Sequence, residues 1–236
     1  MTGFQRCWGV VPAAGRGLRM GGEVPKQYLL LRGRSVLDHA IAALLGHAAV
    51  RAVVVAVAPD AARWHTSMHS GDPRVRWVEG GAERCHSVLN ALDALTGEAA
   101  DDDWILVHDA ARPCLRAEDL ARLVTALSDH PVGGLLGVPV KDTMKRCAAD
   151  GTVTDTVERA GLWHAYTPQM FRYAALRAAL QAALAAGVLV TDESAAVERA
   201  GLAPRLVEGS PDNIKVTRPE DLPLAAFLLD RLHGHA

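Results

Sequence analysis

Between residues 9 and 28 the chain reads GVVPAAGRGLRMGGEVPKQY, which sets Arg16, Arg19 and Lys26 among Gly15, Gly17, Gly21 and Gly22. Glycines let a backbone turn tightly and bring its N–H groups against a ligand. Fixed cations in the same loop select a polyanion, and a triphosphate fits that description best. Two familiar phosphate loops do not match. The dinucleotide fingerprint needs a glycine three residues after its second, where Met20 stands. The kinase-type P-loop needs Gly-Lys followed by Ser or Thr, whereas Lys26 lies between Pro25 and Gln27. The apolar run at 8–11 reads as a buried first strand, and open α/β sheets bind ligands just past such a strand. The alternative, a flexible surface loop with ordinary basic residues, leaves that placement unexplained.

Two later stretches carry residues of the same use. GGAERCHSV puts Gly80 and Gly81 at the end of a strand over 75–78, with Arg84 and Ser87 on the first turns of the next helix. Free N–H groups and paired glycines there admit a flat ring or a ribose; a tight turn with Ser87 facing solvent is the bland alternative. HDAARP places Asp109 after a strand over 104–107, suited to hold a metal or a hydroxyl, or to cap its own turn. His65 and His69 sit one helical turn apart, but no third ligand stands near them.

The elements that must position these residues alternate. Ser35 caps a helix running to Gly46, residues 52–58 form a continuous β-branched strand, and 60–69 read as helical. A helix over 117–127 and a strand over 132–140 follow. The alternation predicts a doubly wound, mostly parallel sheet, and right-handed crossovers put the glycine loop, the Gly80 turn and Asp109 on one rim. From Lys141 the pattern changes to a hairpin turning at Asp150-Gly151. A lone two-stranded hairpin is marginal in water, so it must pack on something. An arm of about 141–161 crossing to a second subunit is favoured over a hairpin lying on its own domain, which predicts a homodimer. Beyond it come 163–170, an alanine-rich scaffold helix over 174–186, a helix opened by Thr191-Asp192-Glu193, a strand over 205–207 and a closing amphipathic helix from Arg218-Pro219-Glu220-Asp221.

A chain of 236 residues can bury one substantial core and need not split, so residues 1–236 read as one domain. Half of it is apolar and 22% is charged, as in ordinary globular proteins. A net charge of −2 gives no reason to expect nucleic acid or an anionic membrane as partner. Four scattered cysteines without a CxxC pair suit a reducing cytosol. The N-terminus lacks a cleavable leader pattern and no apolar run reaches spanning length, so a cytoplasmic protein is expected.

The whole set of motifs, PAAGRGLRM, PKQY, GGAERCHSV, HDAARPC, PVKDTMKR, LWHAYTPQ, TDES and DNIKVTRPEDL, resembles in order and spacing the 2-C-methyl-D-erythritol 4-phosphate cytidylyltransferase family. That resemblance implies a Rossmann-like α/β fold with a protruding β-arm that interlocks two subunits. It implies transfer of CMP from CTP to 2-C-methyl-D-erythritol 4-phosphate, releasing pyrophosphate, in non-mevalonate isoprenoid synthesis. Ala13, Ala14, Gly15, Gly17, Gly80, Gly81 and Ser87 would hold the cytosine and ribose. Arg19 and Lys26 would bind the triphosphate, with Lys215 at the α-phosphate and Mg2+ bridging the phosphates, touching Asp109 or not. The polyol phosphate would lie against Asp109, Arg112, Thr143, Arg159, Thr167 and Thr191, some from a neighbouring arm. Ala82 and His86 stand where relatives commonly carry acids. Competing readings are a cytidylyltransferase for another polyol phosphate such as ribitol 5-phosphate, a sugar-1-phosphate pyrophosphorylase using UTP or dTTP, and a non-catalytic nucleotide-binding regulator.

Overall fold

The computed structural model describes residues 6–15, 24–60, 62–232 and 234. Three apolar runs form its centre: β1 (Cys7–Pro12), β4 (Val50–Val57) and β6 (Trp104–Val107). Each alternates between two faces, apart from a register shift where β4 begins at Val50. Val53, Val55 and Val57 point into one core layer with Trp104 and Leu106, while Val54 and Ala56 join Trp8, Val10, Ile105 and Val107 in the other. Period-two burial on both faces is what a sheet covered on each side by helices demands. On the first face lie α1 (Val36–Leu45) and α3 (Ala117–Leu127), and on the second α2 (Arg84–Asp93), α4 (Tyr173–Ala185) and the short α5 (Glu193–Arg199).

The sheet has seven strands in the order β11-β7-β10-β6-β1-β4-β5, where β5 is Val75–Glu79, β7 is Gly133–Pro139, β10 is Trp163–Arg172 and β11 is Arg205–Glu208. β1 pairs in parallel with both β4 and β6, and β4 with β5. The order reverses at β1, so the crevice between the ends of β1 and β6 is the topological switch point where open α/β sheets bind ligands. One strand runs against the rest: β10 is antiparallel to both β6 and β7.

Ser35 caps α1 as expected, in a reciprocal capping box with Asp38, a device that satisfies two free helix donors. A two-residue hairpin arm, β2 (Leu30–Leu31) with β3 (Arg34–Ser35), precedes it and packs under α6 (Asp221–Leu232). The helix expected over 60–69 is absent among the described residues; the segment holds only a 3-10 turn at Trp64–Thr66. Its apolar positions do not make a stripe: Trp64 is fully buried whereas Met68 is exposed. The Ser67 hydroxyl donates to Asp38 Oδ1 at 2.5 Å, tying the segment down by a side chain in place of a helical ladder. His65 and His69 therefore do not share a helix face.

The hairpin at Asp150-Gly151 forms as read, from β8 (Met144–Cys147) and β9 (Val153–Val157), with Gly151 at φ 86°. Its residues are exposed almost throughout, Met144 and Val153 included. No helix among the described residues is long and apolar enough to cross a membrane.

Candidate active site

A cavity of about 1020 Å3 opens at the switch point, lined by Ala13, Ala14 and Gly15 after β1, Gly80 and Gly81 after β5, and Asp109 after β6. Lys26, Ser87 and Lys215 line it too. The rim predicted from crossover handedness thus gathers all three segments.

The nucleotide side is built from glycine and its supports. Gly80 packs so closely that a Cβ there would sit 2.4 Å from Ala14 Cβ and 2.9 Å from Ser87 Oγ. Ser87 is buried, and its hydroxyl accepts from Gly81 N–H at 3.1 Å while donating to the Glu83 carbonyl at 3.2 Å. It folds the turn and does not face solvent. Gln27 does the same for the first loop: its amide donates to the Ala13 and Gly15 carbonyls at 2.7 and 2.8 Å. Sequence reading passed over Gln27, whose only signal is an amide buried next to a lysine. Gly17 and Arg19 lie outside the described residues.

The opposite wall is charged. Asp109, only 7% exposed, meets Lys215 Nζ at 2.8 Å on Oδ2, Arg84 Nε at 3.1 Å on Oδ1, and Arg112 Nε at 3.5 Å. Burial alone would raise its carboxyl, but Arg84, Lys215 and Arg112 together hold it well below the ordinary carboxylate range. Arg112 is fixed in turn by the Asn213 carbonyl at 2.6 Å and by the Tyr166 ring beneath its guanidinium. Lys215 sits on a segment stitched to this wall, since Val216 N–H donates to Ala111 O at 2.8 Å and the Asn213 amide to Thr167 O at 2.7 Å. Lys26 reaches the same segment, donating to the Val216 carbonyl at 2.9 Å. Two ammonium groups 189 positions apart in sequence are thereby tied to one stretch of backbone.

Thr167 is a support here, not an open contact. Its hydroxyl oxygen accepts from Asp109 N–H at 3.0 Å and lies 2.9 Å from His108 Nδ1. His108 Nε2 lies 3.0 Å from the Arg112 carbonyl, which can only accept. The ring therefore carries its proton on Nε2, and Thr167 donates to Nδ1. Burial pushes this imidazole down from 6.5 to about 4, so it folds neutral. The unfolded chain then takes up the proton first as pH falls, and stability is lost from about pH 6.5 downward. This ring alone removes roughly 2 kcal/mol of unfolding free energy between pH 7 and pH 5. Urea denaturation at the two pH values should show that slope, and His108→Asn should flatten it.

Thr143 and Arg159 lie at the base of the exposed hairpin, where Arg159 Nη1 donates to the Lys141 carbonyl; neither lines the cavity. Thr191 is exposed ahead of α5 and is likewise outside the lining. Arg84, noted in sequence only for its place in GGAERCHSV, is held from behind the wall by a residue to which the sequence assigned no role. Arg84 bridges Asp109 to Glu193, and Glu193 is fully buried. They lie 109 positions apart, and nothing local in either segment announces the pair.

The 2-C-methyl-D-erythritol 4-phosphate cytidylyltransferase family profile matches residues 8–231. A relative of that name from Pseudomonas putida is 54% identical over 216 residues, covering 91% of this chain and 92% of its own. A solved 4-diphosphocytidyl-2C-methyl-D-erythritol synthase superposes with a TM-score of 0.84 at 39% identity, covering 96% of this chain and 99% of that one. The enzyme of the cytidylyltransferase name from Thermus thermophilus gives 0.76 at 31% identity, over 94% and 97%.

Proposed function

Because the chain belongs to the 2-C-methyl-D-erythritol 4-phosphate cytidylyltransferase family, we propose that it transfers CMP from CTP to 2-C-methyl-D-erythritol 4-phosphate. The products are 4-diphosphocytidyl-2-C-methyl-D-erythritol and pyrophosphate, an early step toward isoprenoid precursors. The observation that carries the reading is the pairing, across one cavity, of a glycine cradle with the Asp109–Lys215 cluster. No feature of the site favours a regulator or a UTP-using enzyme over this.

In the reaction a phosphate oxygen of the polyol phosphate attacks the α-phosphorus of CTP, the bond to the β-phosphate bridging oxygen breaks, and pyrophosphate leaves. The nucleophile is already an anion at neutral pH, so no general base is needed. The obstacle is charge, and catalysis is positioning plus electrostatic stabilisation of an in-line transition state. Arg19 and Lys26 hold the triphosphate, and Lys215 stands at the α-phosphate. The backbone of Ala13, Ala14, Gly15 and Gly17 and the Gly80–Gly81 turn, braced by Ser87, hold cytosine and ribose. Asp109 and Arg112 face the polyol, with Thr167 behind them and Thr191 at the edge.

Magnesium fits this site as a partner of the nucleotide. Asp109 is the one buried acid of the lining, and its oxygens are engaged by Lys215 and Arg84. Among the described residues no group of three or more potential ligands gathers elsewhere. Mg2+ commonly keeps its waters and binds through phosphates with one or two carboxylates, so Asp109 is its candidate protein ligand. Asp109 would hold it beside the phosphates, where it would supply positive charge that offsets theirs.

We read residues 1–236 as one nucleotidyltransferase domain whose arm, about 141–161, crosses to a second copy. Support comes from an exposed hairpin with Met144 and Val153 uncovered, since such a hairpin is unstable alone. Thr143 and Arg159 on that arm then complete the polyol phosphate site. Arg159→Ala should raise the KM for the polyol phosphate by about tenfold or more and that for CTP much less, as loss of a charged hydrogen bond predicts. Steady-state kinetics with each substrate varied would check it, and the reverse pattern would remove Arg159 from that role. The cytoplasm is the proposed compartment.

Pyrophosphate release from CTP with methylerythritol phosphate and magnesium tests the function. Release with ribitol 5-phosphate instead, or CTP binding without turnover, would overturn it.

A further inference from the structure

One buried carboxylate beside the reactive wall has no task in the scheme above. Glu193 opens α5, is 0% exposed, and does not line the cavity, so it cannot act by touching a substrate. Both its oxygens grip Arg84, Nη1 at 2.6 Å and Nη2 at 3.0 Å. The remaining edge of that guanidinium, Nε, meets Asp109 Oδ1. Asp109 Oδ2 takes Lys215 at 2.8 Å, with Arg112 Nε further off at 3.5 Å.

A guanidinium facing a lone carboxylate takes it through a two-pronged fork. Here Glu193 occupies the end-on fork, and Arg84 is turned so that it meets Asp109 through Nε alone, on Oδ1. From this geometry we infer that Glu193, acting through Arg84, is a positioning residue that keeps Asp109 Oδ2 open to Lys215 and so sets where the Lys215 ammonium stands. The inference rests on the reading of this cavity as the cytidylyl-transfer site.

The carboxylate is held for that purpose by contacts away from the cavity. Asp192 caps α5 at Ala195 N, while Gln169 of β10 donates to Asp192 Oδ2 at 2.9 Å and accepts from Ser194 N–H at 2.8 Å. Stability alone does not call for a buried ion pair, because well-packed apolar residues of similar volume serve as well or better. What apolar residues cannot do is hold Arg84 in this orientation.

Four variants decide the matter: E193Q, E193D, R84M and the double variant R84M/E193Q, each with its melting temperature measured. E193Q should lower kcat by about tenfold to a hundredfold, the cost of losing a supporting contact behind a reacting group. Its KM for CTP should stay within about twofold of wild type, since only transition-state stabilisation is lost, and an unchanged melting temperature sets this apart from general damage. E193D, whose carboxylate stops a methylene short of the fork, should fall between them and decides the question if E193Q does not fold. R84M and the double variant should share one kcat within about twofold, because Glu193 has nothing to act through once Arg84 is gone. With lysine labelled at 13Cε, the Lys215 resonance should move in E193Q. Wild-type kcat in folded E193Q or E193D, or a double variant far slower than R84M, would overturn the inference. Absence of turnover in the wild-type protein would instead count against the function, and an unmoved Lys215 resonance in E193Q would then overturn the positioning role by itself.

Discussion

Lys215→Ala lowers the rate of pyrophosphate release by about 10²–10³-fold while the protein stays folded, the loss typical of one preorganised donor aimed at developing charge. The side chain is partly exposed, and its ammonium has Asp109 as its ion-pair partner, so little packing is lost with it. In the proposed mechanism the rate effect comes from the α-phosphate, where an incoming anion must approach a polyanion. Lysine suits that place because it is a compact point charge on a flexible stem, able to follow a moving phosphoryl group. Lys26→Ala should lose as much for the same reason, and it also unties the Val216 carbonyl from the first loop. Single-turnover kinetics, with circular dichroism to confirm the fold, would check both. Near-normal turnover in either variant removes that lysine from the mechanism.

Asp109→Asn is expected to damage both stability and rate. Three cations converge on this carboxylate, and removing its charge strands them in a wall that is largely buried. Breaking one side of a buried pair costs about 3–5 kcal/mol, and the lower end applies because Arg84 keeps Glu193 and Lys215 can turn to solvent. The sign of the pH dependence follows from its depressed carboxyl. The stability contributed by the Asp109 charge is present above the unfolded value near pH 4 and is lost as pH falls toward the folded one. The stability gap between wild type and variant should therefore persist from neutral pH to about pH 4 and shrink below it. Denaturant unfolding across that range measures it. Turnover should fall by at least about a hundredfold, since Lys215 loses its anchor and the polyol loses a contact.

How much of this was legible in the chain depends on how local the cause is. The runs forming β1, β4 and β6 are buried on both faces, so continuous apolar stretches announced them, and Ser35 announced the start of α1 by its own capping chemistry. Asp150-Gly151 specified a hairpin because the left-handed turn needs glycine. The direction of β10 could not be read, because a strand buried between β6 and β7 has the same composition whichever way it runs. The segment over 60–69 has helix-tolerant residues, but among its described residues Trp64 is the only buried apolar side chain, too little to hold a helix against the core. In the site, the glycine cradle and Asp109 followed from placement at strand ends. The tie between Lys26 and Val216 and the Arg84–Glu193 fork did not, since each joins segments more than a hundred positions apart. Thr143 and Arg159 lie on an exposed arm outside the cavity lining, and only the proposed second copy would bring such residues to a site.

In the proposed mechanism, side-chain cations converge on the α-phosphate of a bound nucleotide so that two anions can react. A crystal structure of the protein with CTP and magnesium tests it most directly. The Lys26 and Lys215 ammonium groups are expected within hydrogen-bonding reach of the phosphate chain, with Lys215 on the α-phosphate side and the cytosine against the Gly80 turn. Ammonium groups turned away from the phosphates, with the nucleotide otherwise bound in the cavity, would contradict it.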